Sequence, residues 1–492
     1  MTVPAAILLA RDLSSDRPED RAAASDRGGG QVTYPPNADP RREPAPDRPD
    51  ASPAVPAQRG VRSVAAERLR AVATTEPGRL QVIGAVLALL VVAFGAVTAL
   101  EVSGRASAAD DVVTRSQPLS ADAADIYRSL ADADTMAASG FLAGAEEPED
   151  VHAQYEKDIK EASRLLVKAA AGTDASSSSA GEIRTLNELL PEYTGLVERA
   201  RANNRQGLPL GGAYLRYANQ RMTNDLLPAA ERLYAAETGR LSTDTADARR
   251  WPLLALGAGV VALAALVWTQ RRAYRRTNRV FNRGLLAATA AASVVLLWLA
   301  VGHTVARAEL RAAMTHGQES LDVLNKARIN SLKARANENL TLVARGAVLT
   351  ADGTQDKYET DYGAGMKALG EQLTTAERLA DDARGRAPVA RAADAVSEWQ
   401  ERHRRARTTD DQGDYDGALK QIIGAKDSTG ESFAQVDTAL EEALGQEQSE
   451  FTGAARNGRG ALGGLPVGAG VLAVLGAVAA IAGINRRLSE YR

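Results

Sequence analysis

Two acidic clusters are the first places where this sequence offers chemistry. Glu146, Glu147, Glu149 and Asp150 stand in AGAEEPED, and Asp410, Asp411, Asp414 and Asp416 surround Tyr415 in DDQGDYDG. The plain reading of each is a solvated charged surface; the sharper one is a partner-docking surface, with Tyr415 as an aromatic anchor. A third cluster, QRRAYRRTNRVFNR, holds Arg271, Arg272, Arg275, Arg276, Arg279 and Arg283 with no acid among them. It reads as a topology signal, or as a docking surface for a cytoplasmic partner or anionic lipid. The four histidines, His152, His303, His316 and His403, are scattered without metal-ligand spacing, and there is no cysteine. Disulfides, thiolate nucleophiles and cysteine-bound metals are thereby excluded. Phosphate loops, nucleophile elbows, HExxH and kinase or cyclase blocks are missing. No catalytic, cofactor-binding or metal site is expected, so the chain reads as a non-enzyme. A net charge of −3 argues against a nucleic-acid binder.

The elements that carry these clusters follow from hydropathy. Leu80–Leu100 is uncharged over 21 residues, enough to cross a hydrocarbon core of roughly 30 Å. Three further runs, 252–269, 284–302 and 461–484, also read as spans. The first run lies behind a tail of nearly eighty residues and is too long for a signal peptide's apolar region, so it is expected to stay as an anchor. The arginine cluster, residues 270–283, joins the second and third spans, which places it in the cytoplasm by the positive-inside rule. Arg68, Arg70 and Arg79 before the first span, and Arg486, Arg487 and Arg492 after the last, agree. Both termini are then cytoplasmic, and residues 101–250 and 303–460 are extracytoplasmic. No Asp, Glu, Lys, Arg or His lies inside a span, which ranks transport low. Gly464 and Gly468 form a GxxxG, expected to make a helix contact within the chain rather than a homodimer.

The two outer segments repeat each other. VERARANNRQG (Val197–Gly207) returns as HRRARTTDDQG (His403–Gly413), a shift of 206. At that shift Ile183, Leu186, Leu190, Tyr193, Val197 and Ala200 align with Val389, Ala392, Val396, Trp399, His403 and Ala406, spaced 3, 4, 3, 4, 3 in both copies. This is the apolar seam of a bundled helix. His403, in place of Val197, is expected to be half-buried with its polar tip wet. Four helices are predicted per copy: about 108–142, 155–169, 183–200 and 212–248, then 321–343, 358–379, 388–407 and 417–453. An up-down-up-down order places the acidic loops at the far tips, and the repeated Gln-Gly ends each third helix. Arg199, Arg201, Arg405 and Arg407 at the bundle ends are candidates to face an anionic ligand. The fold expected is all-α: four transmembrane helices with two tandemly duplicated extracytoplasmic four-helix bundles. Residues 1–60 are rich in Pro, Asp and Arg and are expected to be a disordered cytoplasmic tail, followed by a juxtamembrane segment at 61–79. Residues 485–492 form a short cytoplasmic end.

An outer helical bundle tied to two spans resembles bacterial sensory ectodomains of the chemoreceptor type. Only NRRLSEYR follows the last span, so no signalling hairpin or kinase is expected on this chain and output must pass through another protein. Only nine of the 59 basic residues are lysine, a bias of high-GC bacteria such as actinobacteria. The four-span layout with two outer helical domains and a cytoplasmic amino-terminal tail is similar to the GlnX-type membrane proteins of actinobacteria. That resemblance implies amino-acid sensing, in which the outer domains meet a solute-binding lipoprotein of the GlnH type and a cytoplasmic Ser/Thr kinase of the PknG type receives the signal. A direct small-molecule sensor and a structural envelope scaffold are the alternatives.

Overall fold

The computed structural model describes residues 76–144, 147–277, 282–424 and 426–489. Residues 1–75, which include the expected tail, Arg68 and Arg70, lie outside them, as do Glu146, Arg279 and Arg492. The described chain is helical with no strand.

The first outer unit begins on α1 (Glu76–Asp111), which passes through a π-helical segment, Val112–Ser116, into α2 (Gln117–Leu142) without a break. It continues with α3 (Glu149–Gly172), α4 (Ser178–Arg205), α5 (Leu210–Arg221), a second π segment at Met222–Leu226, and α6 (Leu227–Ala248). After α7 (Leu253–Thr277) the order recurs. α8 (Arg283–Ala312) runs through a π segment, Ala313–Gln318, into α9 (Glu319–Ala344), followed by α10 (Lys357–Leu379), α11 (Ala383–Asp411), α12 (Tyr415–Ile423), α13 (Thr429–Leu462) and α14 (Leu465–Ser489).

The apolar seams predict the buried faces. All twelve positions aligned above, from Ile183 to Ala406, are buried. Gly207 and Gly413 take φ of 67° and 84°, the left-handed conformation that ends α4 and α11 at the repeated Gln-Gly. Helix starts are capped where short polar residues precede them: Asp356 accepts from Glu359 N (3.0 Å) and Ser428 from Glu431 N (3.1 Å).

Three features differ from the sequence reading. The helix expected over 417–453 is broken at residues 424–428, where Asp427 is left-handed (φ 57°) and Ser428 starts a new helix. The arginine segment is not a loop over most of its length, because α7 continues to Thr277. The two helical segments, read from the sequence as two bundles, pack on each other. α2 and α9 run side by side, tied by Thr135 Oγ1 to Leu332 O (2.9 Å), Lys333 Nζ to Tyr127 OH (3.1 Å) and Asn339 Nδ2 to Ser139 Oγ (2.7 Å). One hydrophobic core, with Leu130, Leu166 and Leu215 on one side and Leu332, Leu369 and Trp399 on the other, runs through both.

Four helices are long and apolar enough to cross a membrane, and they fit a multi-pass membrane protein. They contact one another through small residues. A Cβ built on Gly95 of α1 would lie 2.1 Å from the Ala473 Cβ of α14, and one on Gly468 would lie 2.4 Å from the Trp298 ring of α8. Gly468 thus makes a contact within the chain. Gly464 does not share it, since it sits in the turn before α14 with φ 73°. Leu89, Leu100, Leu254, Leu297 and Val467 point outward, between 65 and 75% exposed, an apolar girdle suited to lipid.

Candidate functional site

Polar side chains converge inside both units, around Asp134 in the first and Glu338 in the second. In the first, Asp134 of α2 is buried and accepts from Tyr193 OH of α4 (3.1 Å) and Asn219 Nδ2 of α5 (2.7 Å). Burial pushes its carboxyl up to about 6, against the lowering effect of those two donors. Nearby, Arg201 is buried, lies 4.2 Å above the Tyr155 ring and pairs with Glu147 (3.0 Å) and Glu198 (3.2 Å).

In the second unit the polar centre is a network of ion pairs. Glu338 of α9 has no solvent exposure; it accepts from the Trp399 indole (3.1 Å), pairs with Arg335 and meets His403 Nδ1 at 2.9 Å. His403 Nε2 lies 3.1 Å from Glu359 of α10, and Arg407 Nε lies 3.2 Å from the same carboxylate. Tyr362 stacks on the imidazole at 3.8 Å. His403 is therefore buried and paired at both nitrogens, not half-wet as its seam position implied. Burial opposes its charge, but hydrogen bonds to Glu338 and Glu359 outweigh it and push the ring up to about 9. Arg335 also donates to Thr429 Oγ1 (2.8 Å) and Ile422 O (3.1 Å), binding the broken fourth helix to the same network. A network of this kind fixes the register of four helices, and any sliding of one requires exchanging partners.

The tips receive the acids unequally. Asn204 Nδ2 donates to Phe141 O (2.8 Å), bringing the ends of α2 and α4 together. Glu147 is consumed by Arg201, while Glu149 and Asp150 are exposed in the first turn of α3. In the second unit Asp410 pairs with Arg407 (2.6 Å), Asp414 caps Gly417 N (2.9 Å), and Asp411 and Asp416 are exposed. Tyr415 is half-buried beneath the Arg345 guanidinium at 3.9 Å. Leu208 and Leu210, between α4 and the first residue of α5, are exposed. Of the bundle-end arginines, Arg201 and Arg407 are used internally, and Arg405 is exposed. At the other end of the molecule Arg271, Arg275 and Arg283 are exposed, and Arg272 lies 5.3 Å from the Trp268 ring.

A cavity of about 440 Å³ lies between the two units, lined by Arg128, Asp132, Gln154 and Asp158 from the first and Arg328, Phe433 and Asp437 from the second. Gln154 Nε2 donates to both Asp132 (3.3 Å) and Asp158 (3.0 Å). Burial first, and mutual repulsion with Asp132, raise Asp158 well above the usual carboxylate range. Among the described residues no group of His, Cys, Asp and Glu is arranged to hold a metal ion.

Sequence reasoning missed Asp134, Arg335, Glu338 and Glu359. The available signal was Arg335, Glu338 and Leu342 continuing, at spacings of 3 and 4, the seam that Leu332 belongs to.

No curated protein and no solved structure matches the chain. Residues 108–246, the outer part of the first unit from the end of α1 through most of α6, match the family model described as an actinobacterial sensor domain. With four helices fit to cross a membrane, the match supports an actinobacterial transmembrane sensor.

Proposed function

We propose that the chain is a non-enzymatic relay with two duplicated outer units, both outside the cell, which transmit the binding of an extracytoplasmic partner to a cytoplasmic one. The observation that carries this is continuity. α1–α2 and α8–α9 each run without a break from the membrane into the core of the unit that matches, or structurally parallels, the sensor domain. A partner that prefers one packing of the units shifts the spans with them, and coupling of this kind is typically worth about 1–3 kcal/mol. The recurring helix order, the matching polar centres at Asp134 and Glu338, and the paired π segments at Val112–Ser116 and Ala313–Gln318 support duplication. The outer partner is a solute-binding lipoprotein carrying an amino acid, and the inner one a Ser/Thr kinase recruited at the exposed arginines. In-cell photo-crosslinking from Leu208 and Asp416 tests the first half. Capture of a solute-binding lipoprotein is expected; capture of envelope or division proteins alone would favour a scaffold.

The cavity between the units favours a second reading, direct sensing of a small charged molecule. On that reading the purified full chain gains thermal stability with an amino acid or amine alone. On the relay reading it gains stability only when the loaded lipoprotein is present.

A further inference from the structure

The returning helices enter the membrane in two different ways. Between α13 and α14 the chain turns at Gly463–Gly464, held by the backbone bond from Gly463 N to Gly460 O (3.0 Å). Between α6 and α7 it turns at Arg249–Pro252, and there side chains from both outgoing helices grip it. Arg105 of α1 donates to Arg250 O (2.7 Å) and Trp251 O (3.0 Å) in the turn that follows α6. One turn earlier Glu101, paired with Arg105 at 3.2 Å, accepts from Ala255 N (2.7 Å) in the first turn of α7. One side-chain pair thus holds the turn after α6 and bonds the first turn of α7. From α8, Arg307 donates to Arg249 O (3.1 Å) and lies 5.5 Å from the Trp251 ring, while His303 packs 5.1 Å from the same ring. Glu101 and Arg105 precede His303 and Arg307 by 202 residues each, close to the repeat shift, so the two outgoing helices grip one joint from equivalent positions. His303 is 1% exposed and interacts with the Arg249 backbone in the turn that Arg307 also reaches.

We propose that this clamp makes α7 a driven span: movement of the outer units reaches the cytoplasmic arginines through the Arg249–Pro252 joint. The proposal rests on the relay reading above. The charged pair adds to a packed joint in which Ala248 and Ala255 are buried with Val102, so neutralising Glu101 and Arg105 removes the side-chain bonds without emptying that core. At the Gly463–Gly464 turn packing holds the chain instead, with Leu462 and Leu465 buried on either side and α14 set closely on α1 at Gly95 and Ala473.

The test uses the full chain in lipid nanodiscs. The native sequence has no cysteine, so Ser116→Cys with Asp244→Cys, whose native side chains touch, supplies a single disulfide locking the first outer unit. A trifluoromethyl-phenylalanine at Tyr274, near the cytoplasmic end of α7, or at Asn485, near that of α14, reports by fluorine NMR. Oxidation is expected to shift the resonance at 274, and that shift, unlike any at 485, is expected to depend on Glu101 and Arg105. Glu101→Gln with Arg105→Gln should abolish the shift at 274; Arg105→Lys, which keeps the charge but not the fork, should reduce it. Unchanged amide exchange in α2 verifies that each variant is folded. A shift at 274 that survives both charge variants overturns the clamp, as does a shift at 485 alone; both leave the relay standing. No shift at either probe with the clamp intact overturns clamp and relay together.

Discussion

Asp134→Asn isolates the polar centre of the first unit. The wild-type carboxyl moves from an ordinary 3.8 to about 6 on folding. At about 1.4 kcal/mol per tenfold change, this difference is worth roughly 3 kcal/mol. The sign is fixed by its direction. A carboxyl raised on folding favours the protonated folded state, so its contribution is complete below pH 3.8 and is lost as pH rises through about 6. Asparagine presents the same shape without the charge, and the Asn219 amide can turn to complement it. The variant should match wild type near pH 4 and exceed it by up to roughly 3 kcal/mol at pH 7.5. For a body of this size that is a rise of about 6 °C in melting temperature, at ~2 °C per kcal/mol. Glu447, pushed up to about 7 by burial and by Glu450, titrates in the same window, so the quantity to follow is the difference between variant and wild type. Intrinsic-fluorescence melts in micelles at pH 4.5, 6 and 7.5 measure it. A gap constant across pH, or a variant least stable at pH 7.5, refutes the assignment of a carboxyl raised by burial.

The second unit behaves oppositely. His403 is raised on folding to about 9, so its contribution is complete below pH 6.5 and lost as pH rises through about 9. His403→Leu should cost about 3–5 kcal/mol at pH 7 by stripping Glu338 of a partner, with the deficit shrinking towards pH 10 in the same melts. In the membrane, Gly95→Val drives its Cβ into Ala473 and should destabilise the span bundle by about 1–3 kcal/mol. Gly257→Val on α7, where a Cβ meets nothing within 4 Å, should be nearly silent, which thermal aggregation in micelles can compare.

What the sequence made legible was what periodicity encodes. The seam from Ile183 to Ala200, its counterpart from Val389 to Ala406, and the glycine stops at 207 and 413 all needed only one helix at a time to be read. The packing of α2 on α9 was not legible, because α9 is buried on nearly every side. Arg335, Glu338 and Asn339 interrupt its apolar pattern, so a single core-facing stripe does not stand out. The ion network was hidden for a related reason: its members come from α9, α10 and α11, and only the fold brings Glu338, Glu359 and His403 together. The broken helix at 424–428 has a local cause after the fact. Ser428 and Glu431 form a start signal, with the Glu431 carboxylate accepting from Asp427 N at 2.9 Å, that competes with continuation of the preceding helix.

The most direct test of the account is the side of the membrane on which each end lies. Single cysteines at Leu208, Asp416, Arg275 and Asn485 in the full chain can be reacted in intact cells with a membrane-impermeant maleimide. Labelling of 208 and 416 in intact cells, with 275 and 485 reacting only after permeabilisation, is the predicted result. Labelling of 275 in intact cells, or protection of either tip, contradicts a sensor whose two units face outward and whose arginines face a cytoplasmic partner.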